Sequence, residues 1–362
     1  MKTTFVMCLV SALTLMSGVA LAGDFAYQVY GVAHVSTDLQ NNGDESEIYV
    51  SSNASRVGFK GSLDTDNDLF TVIFQYESQA DFNNNDNESA AWSSRNSYAG
   101  LKGNWGKLIW GRYDTPFKSI GRSVEFFGER IGDARNATSF DGLWDRRENN
   151  MIMYATPALG EVIVVTGQYV PDQGVEDGAL FSASAVYDKD KIMAGVAFEN
   201  HGKALEDAYN AAFPDSSESS TGIRVVLKYK GDKFGVAGLY QTISNAFGYE
   251  DISAQTIGLG ANYLLTPMWD LKAQYYMTDP NTDADDVGAS QLTVGIDYIL
   301  SAQTRLYLAY ATMMNEDASN FFDPFTQGPH GQSIPLADTS DPGSPDVGLS
   351  PYGVSVGLSV AW

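Results

Sequence analysis

Tyr352-Gly353-Val354-Ser355-Val356-Gly357-Leu358-Ser359-Val360-Ala361-Trp362 decides how the chain is read. Tyr352, Val354, Val356, Leu358, Val360 and Trp362 put every bulky apolar side chain on one face of an extended segment, leaving only small ones on the other, with a period of two. Three earlier stretches repeat the pattern. Leu292, Val294, Ile296, Tyr298 and Leu300 alternate with Gln291, Thr293, Gly295 and Asp297; Trp269, Leu271, Ala273, Tyr275 and Met277 with Asp270, Lys272, Gln274 and Tyr276; and Ile223, Val225, Leu227 and Tyr229 with Arg224, Val226 and Lys228. In a soluble domain the apolar faces would need a second sheet or helices to cover them, and no amphipathic helix is expected here. A single closed sheet with lipid outside and water inside satisfies all of them.

Strands are expected at about 24–37, 53–62, 68–78, 94–103, 105–112, 149–156, 161–170, 179–188, 191–200, 221–231, 233–243, 253–265, 268–278, 289–300, 302–312 and 351–362. The fold class is all-β: a transmembrane antiparallel barrel whose even count of sixteen brings both termini to one end. Short turns such as Gly231-Asp232 and Thr266-Pro267 alternate with long polar links such as 113–148, 201–220 and 313–350. Ten residues rising ~3.3 Å each at ~45° tilt reach about 23 Å, matching the ~25 Å apolar band of such barrels. Tyr263, Trp269, Tyr298, Tyr352 and Trp362 fall where interfacial aromatic girdles belong.

Lys2, the apolar run from Phe5 to Leu15 and Ala20-Leu21-Ala22 read as a secretory signal peptide over residues 1–22, cleaved before Gly23 to leave the barrel at 23–362. The only cysteine, Cys8, lies in that leader. With 22 Lys+Arg against 45 Asp+Glu, a net charge of −23, the chain has no basic surface for nucleic acid. His34, His201 and His330 are scattered, and no metal site or cofactor is expected. Asp64-Thr65-Asp66-Asn67-Asp68 begins like a calcium loop but has Leu69 and Gln75 where glycine and glutamate are needed. There is no nucleophile elbow and no catalytic residue set; an outer-membrane hydrolase would need His34, His201 or His330 as its base.

Five segments carry a family resemblance. They are Ser55-Arg56-Val57-Gly58-Phe59-Lys60-Gly61; Ser94 to Lys102 with Arg95; Gly111-Arg112; Glu125-Phe126-Phe127-Gly128-Glu129; and Arg147-Glu148-Asn149-Asn150 through Pro157. In order and spacing the chain resembles the trimeric general porins of Gram-negative outer membranes, and the likeness covers all sixteen strands. It departs from them at Trp362, where phenylalanine is usual, and at Val124 and Phe127, which replace a proline and a glycine of the acidic loop tip.

The resemblance implies an outer-membrane homotrimer in which the third extracellular loop, 113–148, folds inward as a pore constriction. Its acidic side would be Glu125, Glu129 and, more weakly, Asp133; Arg56, Lys60, Arg95 and one of Arg146 and Arg147 would face it from the wall. Parity agrees in part: with Val57 and Phe59 outward, Arg56 and Lys60 point into the lumen, and with Tyr98 outward so does Arg95. Charges opposed across ~8 Å interact by roughly 0.5 kcal/mol in bulk water and ~2 kcal/mol at an effective dielectric of 20, giving a transverse field.

The other seven outer loops, 38–52, 79–93, 171–178, 201–220, 244–252, 279–288 and 313–350, together carry −25, against −24 for the mature chain. An acidic outer mouth of this kind would favour cations and could bind lipopolysaccharide phosphates through divalent ions. The expected function is passive diffusion of small hydrophilic solutes and ions. The alternatives are a solute-specific channel, for which Tyr30, Tyr276 and Tyr307 are too few to form a luminal aromatic ladder, and an adhesin using loops 201–220 and 313–350.

Overall fold

The computed structural model describes residues 25–65, 69–82, 95–139, 142–172, 176–203, 218–250, 252–281, 287–316 and 348–362. The expected signal peptide lies outside these residues, as do His330 and most of the acidic loops. The first strands are β1 (Phe25–Asn41), β2 (Ser46–Ser52), β3 (Arg56–Asp64), β4 (Thr71–Gln79), β5 (Ser97–Gly103), β6 (Gly106–Asp114), β7 (Arg147–Ala155), β8 (Ile163–Val170) and β9 (Leu180–Lys189). The remainder are β10 (Ile192–His201), β11 (Ser220–Lys230), β12 (Phe234–Ser244), β13 (Ser253–Thr266), β14 (Trp269–Asn281), β15 (Ala289–Ile299), β16 (Thr304–Asn315) and β17 (Tyr352–Ala361).

From β3 onward each strand pairs antiparallel with the next, and β1 pairs with β17, Val32 opposite Ala361, so the sheet closes. β1 also runs along β2, with Asn41 opposite Ser46, and then along β3, with Val32 opposite Arg56. β2 and β3 are therefore two halves of one wall strand, and the barrel has sixteen. The break between them is Asn53-Ala54-Ser55, where Ala54 takes φ +51° and the Asn53 amide donates to the His34 carbonyl at 2.7 Å.

This corrects the expected first outer loop. Residues 46–52 continue the sheet, with Ile48 and Val50 outward, and only Asn42–Glu45 forms the turn, so Asp38 and Glu47 sit on strands. At the seam the Trp362 and Gly31 backbones exchange hydrogen bonds at 3.1 Å, and the Trp362 indole occupies the space a Cβ on Gly31 would fill.

The barrel inverts the order of a soluble protein. Outward-facing Ile257, Leu259 and Tyr263 on β13 and Leu271, Tyr275 and Met277 on β14 are 40–63% exposed. Inward-facing Thr256, Gln274, Thr278, Gln291 and Thr293 are at most 2% exposed. An apolar exterior around a polar interior is stable only with hydrocarbon outside. No helix among the described residues is long and apolar enough to cross a membrane.

The polar interior is buried because the segment between β6 and β7 lies against it. That segment contains a helix, α1 (Pro116–Val124), and a single turn, α2 (Arg135–Thr138). Thr115 caps α1, its hydroxyl accepting from the Lys118 amide at 3.2 Å, and Pro116 occupies the first turn. Phe117, Ile120 and Val124 recur at helical spacing and pack with Met193, Ala197, Val226, Ala237 and Leu239 of the inner wall. The sequence reading, which expected no such helix, misses it because its apolar face meets the lumen side of a sheet and its length is only nine residues.

Candidate functional site: an inner loop clasped to the wall

Side chains of the far wall bolt the segment down in two places. At the first, Arg224 of β11 reaches Asp145 with both nitrogens, at 2.6 and 2.9 Å, and both side chains are buried. The Arg224 guanidinium also donates to the Phe117 carbonyl at 3.1 Å and lies 4.1 Å from the Phe117 ring. Around it, Thr138 donates to Asp145 at 2.6 Å, and Gln241 donates to the Thr138 carbonyl at 2.8 Å. At the second, the Gly132 carbonyl accepts from Gln274 at 2.8 Å, Gln291 at 2.8 Å and Thr293 at 3.1 Å. Beside it Arg130 holds Asp297 at 2.6 and 3.1 Å, with Lys272 on the same carboxylate at 2.6 Å.

Between these anchors Glu129, at φ +63°, turns toward β3. Its carboxylate meets Arg56 at 3.0 Å, Arg122 at 3.5 Å and Arg95 at 3.8 Å. Glu77 of β4 completes the group from the wall side, 2.9 Å from Arg95 and 3.8 Å from Arg56, and Tyr30 donates to it at 2.9 Å. Three guanidinium groups thus enclose two carboxylates. Arg122 and Arg56, 29% and 21% exposed, present more charge to solvent than Glu129 at 15%.

Of the residues singled out by sequence, Arg56, Arg95 and Glu129 converge here, in contact rather than across a gap of ~8 Å. The other expected loop acids do not face the wall. Glu125 accepts from Arg122 at 3.1 Å and from the Ala134 amide at 2.9 Å. Asp133 is held by Arg135 at 2.6 Å and Arg122 at 3.2 Å. Both therefore pair within the loop. Lys60 shares the inward face with Arg56 but stands apart, its ammonium 5.3 Å from the Tyr30 ring centre. Arg147 reaches Asp114 at 3.2 Å and Asn96 at 2.9 Å, whereas Arg146 lies 3.9 Å from Glu148.

Tyr98 points inward, opposite Gln75, not outward as expected. Arg95 reaches the lumen because it precedes β5, which starts at Ser97, and so escapes the strand's alternation. Sequence reasoning missed Glu77, Arg122, Asp114 and the two anchors. Glu77 was available from parity, since Ile73, Gln75 and Glu77 alternate with Val72, Phe74 and Tyr76. The partners of the anchors carry no local signal.

A match to a family model described as Gram-negative porin runs over residues 9–318, most of the chain. The chain belongs to the Gram-negative porin family. Chitoporin of Vibrio furnissii is 28% identical over 244 residues, spanning 64% of this porin and 66% of that protein's length. Among solved structures, an anion-selective porin from Comamonas acidovorans superimposes with a TM-score of 0.74 at 22% identity, covering 94% of this porin and 100% of that chain. The trimer form of OmpT of Vibrio cholerae superimposes with a TM-score of 0.64 at 14% identity, covering 93% and 99%. This chain is an outer-membrane β-barrel, and the proteins it is similar to are channels.

In the porin's loop, burial and then the charge of Asp133 push Glu125 up to about 8. Burial alone would raise Asp133 too, but Arg135 and Arg122 outweigh it and hold that carboxyl well below the usual range. Glu125 is therefore the member of the pair that carries a proton at neutral pH. Because its value in the folded porin is raised, the stability it contributes is full below the ordinary glutamate range and is lost as pH rises through about 8. Single-channel selectivity and noise are expected to change with a midpoint near that pH. Glu125→Gln, which mimics the protonated carboxyl, should flatten the response; the same titration in the variant would show that another group is responsible.

Proposed function

We propose that this porin conducts small hydrophilic solutes and ions passively along the water path between the inner loop and the wall of β3 to β7. The observation that carries this reading is the clasp of Glu129 by Arg56, Arg95 and Arg122, which joins loop to wall and leaves a charged, partly solvated edge beside it. The constriction is formed by Arg56, Arg95, Arg122, Arg147, Glu77 and Glu129. Cation preference comes from the acidic long-loop mouth, where carboxylates also bind lipopolysaccharide phosphates through divalent ions. The porin works as a homotrimer; supporting this, Phe25, Tyr27, Phe59, Phe74 and Tyr76 form a chain of rings spaced 5.7–6.1 Å apart on the outer face of β1, β3 and β4.

Planar-bilayer recording under a salt gradient tests conduction, the trimer and the ion preference. Conductance should appear in groups of three steps, with a reversal potential favouring cations. Arg56→Glu changes the local charge by two units, and at ~0.5 kcal/mol per unit over ~8 Å of water this favours a cation and disfavours an anion by ~1 kcal/mol each, so the cation-to-anion permeability ratio should rise about thirtyfold. An anion-favouring reversal potential would remove the cation preference, and an unchanged ratio in the variant would move the constriction elsewhere.

A further inference from the structure

Nearly every inward-facing base outside the clasp is already matched. Lys228 donates to the Ser123 carbonyl at 2.8 Å, Lys272 holds Asp297 at 2.6 Å, Lys230 contacts Asp188, and Arg305 lies 3.9 Å from Asp297. Lys60, Lys102 and Lys107 differ. They project from the inner face of β3, β5 and β6, with β4 between the first two, and among the described residues no carboxylate lies within 4 Å of their ammonium groups and no hydrogen-bond acceptor holds them. Lys102 and Lys107 are directly opposite each other in the β5–β6 ladder, close to the short turn that joins those strands. Like charges in that position destabilise a sheet.

Lys60 and Lys107 rest over the rings of Tyr30 and Tyr113, at 5.3 and 5.7 Å from the centres. Contact with a ring face orients an ammonium group without cancelling its charge. The Tyr98 ring meets Tyr113 edge-on at 5.5 Å, and neither phenol is hydrogen-bonded among the described residues. The nearest acid in the same row, Asp64, is occupied by the Thr71 hydroxyl at 2.9 Å. Going up the wall, Lys102 and Lys107 lie four residues below the Tyr98 level, and Lys60 lies four residues below Arg56, so each step is about 13 Å. A strip of ammonium and phenol donors therefore runs from the turn end to the clasp, on one side of the lumen only.

We propose that this strip is a binding site for phosphorylated, sugar-sized solutes on the turn side of the constriction. A phosphate monoester offers several acceptor oxygens and up to two negative charges, which suits ammonium groups and free phenols; a neutral sugar can accept from both but leaves the ammonium charges uncompensated. The proposal rests on the pore reading of the preceding subsection and names a solute class for it. It also gives the opposed lysines a role: their repulsion is relieved when an anion lies between them.

The test uses the full-length porin in planar bilayers at ~0.1 M KCl, where charges within ~10 Å are not screened out. Glucose 6-phosphate should produce saturable current block when added from one side and much weaker block from the other, while glucose should produce little. Lys102→Gln with Lys107→Gln should weaken the block about tenfold, equal to about 1.4 kcal/mol. The same double variant should denature at a slightly higher temperature, because it removes the repulsion. KCl conductance steps in the variant report that the barrel has formed; their absence in the parent protein would sink the pore reading itself. Block that is unchanged in the double variant, equal for glucose, or equal from both sides would overturn the phosphate site.

Discussion

Asp145→Ala is expected to free the inner loop at its first anchor and enlarge the pore. Arg224 would be left fully buried with no counter-charge, and breaking a buried ion pair from one side costs about 3–5 kcal/mol. That energy can be recovered only if the guanidinium reaches water, which requires α1 to leave the wall. Single-channel conductance should rise and become heterogeneous, and the denaturation midpoint should fall. Replacing both partners, Asp145→Leu with Arg224→Met, should restore most of the stability, since an apolar pair of similar volume needs no desolvation. If the single variant conducts and denatures like the parent, the loop is held by its other contacts and the ion pair is incidental.

Gly132→Val is expected to release the second anchor. Gly132 has φ +69°, and a Cβ there would sit 2.2 Å from the Thr293 hydroxyl oxygen and 2.7 Å from Ala311 Cβ. The left-handed backbone costs a side chain about 1–2 kcal/mol. Displacing the carbonyl forfeits three hydrogen bonds worth about 1 kcal/mol each, for a total of about 4–5 kcal/mol. Glu129 lies only three residues away, so the clasp on Arg56 and Arg95 should open, raising conductance and reducing the influence of Arg56 on ion preference. Gly160→Ala separates the causes: Gly160 also has a positive φ, of +58°, but no atom within 4 Å of the Cβ position, so its conductance should stay at the parental value. Parental conductance in Gly132→Val would mean that the tip is not seated by that carbonyl.

The wall was legible because its physics is local. A period of two in Ile223–Tyr229 or Leu292–Leu300 states which face meets hydrocarbon, and turn residues mark where each strand ends. Residues 46–52 were lost among the loops because Ser46, Glu47, Ser51 and Ser52 outweigh Ile48 and Val50 in composition, while register with β1 decides their structure. Tyr98 was placed on the wrong face because a tyrosine serves an interior or an exterior equally well, and alternation gives the relative face but not the absolute one.

Within the site, Arg56 and Glu129 could be named from the family resemblance, but which acid meets which base could not. Glu125 and Asp133 are drawn to Arg122 and Arg135 of their own loop, a choice fixed by how α1 and α2 fold. Arg224 looked like any inward-facing charge until Asp145, 79 positions away, was found beside it.

The bonds that seat the loop join residues far apart in the chain: 79 positions for Asp145 and Arg224, 167 for Arg130 and Asp297. Such pairings bear a loop-closure cost that nearest-neighbour hairpins do not. They also need a partner surface, spread over β11 to β15, that exists only once those strands are side by side. The seating of the loop is therefore contingent on late assembly: a defect in a C-terminal hairpin, remote in sequence from the acidic tip, is felt where Glu129 meets Arg56.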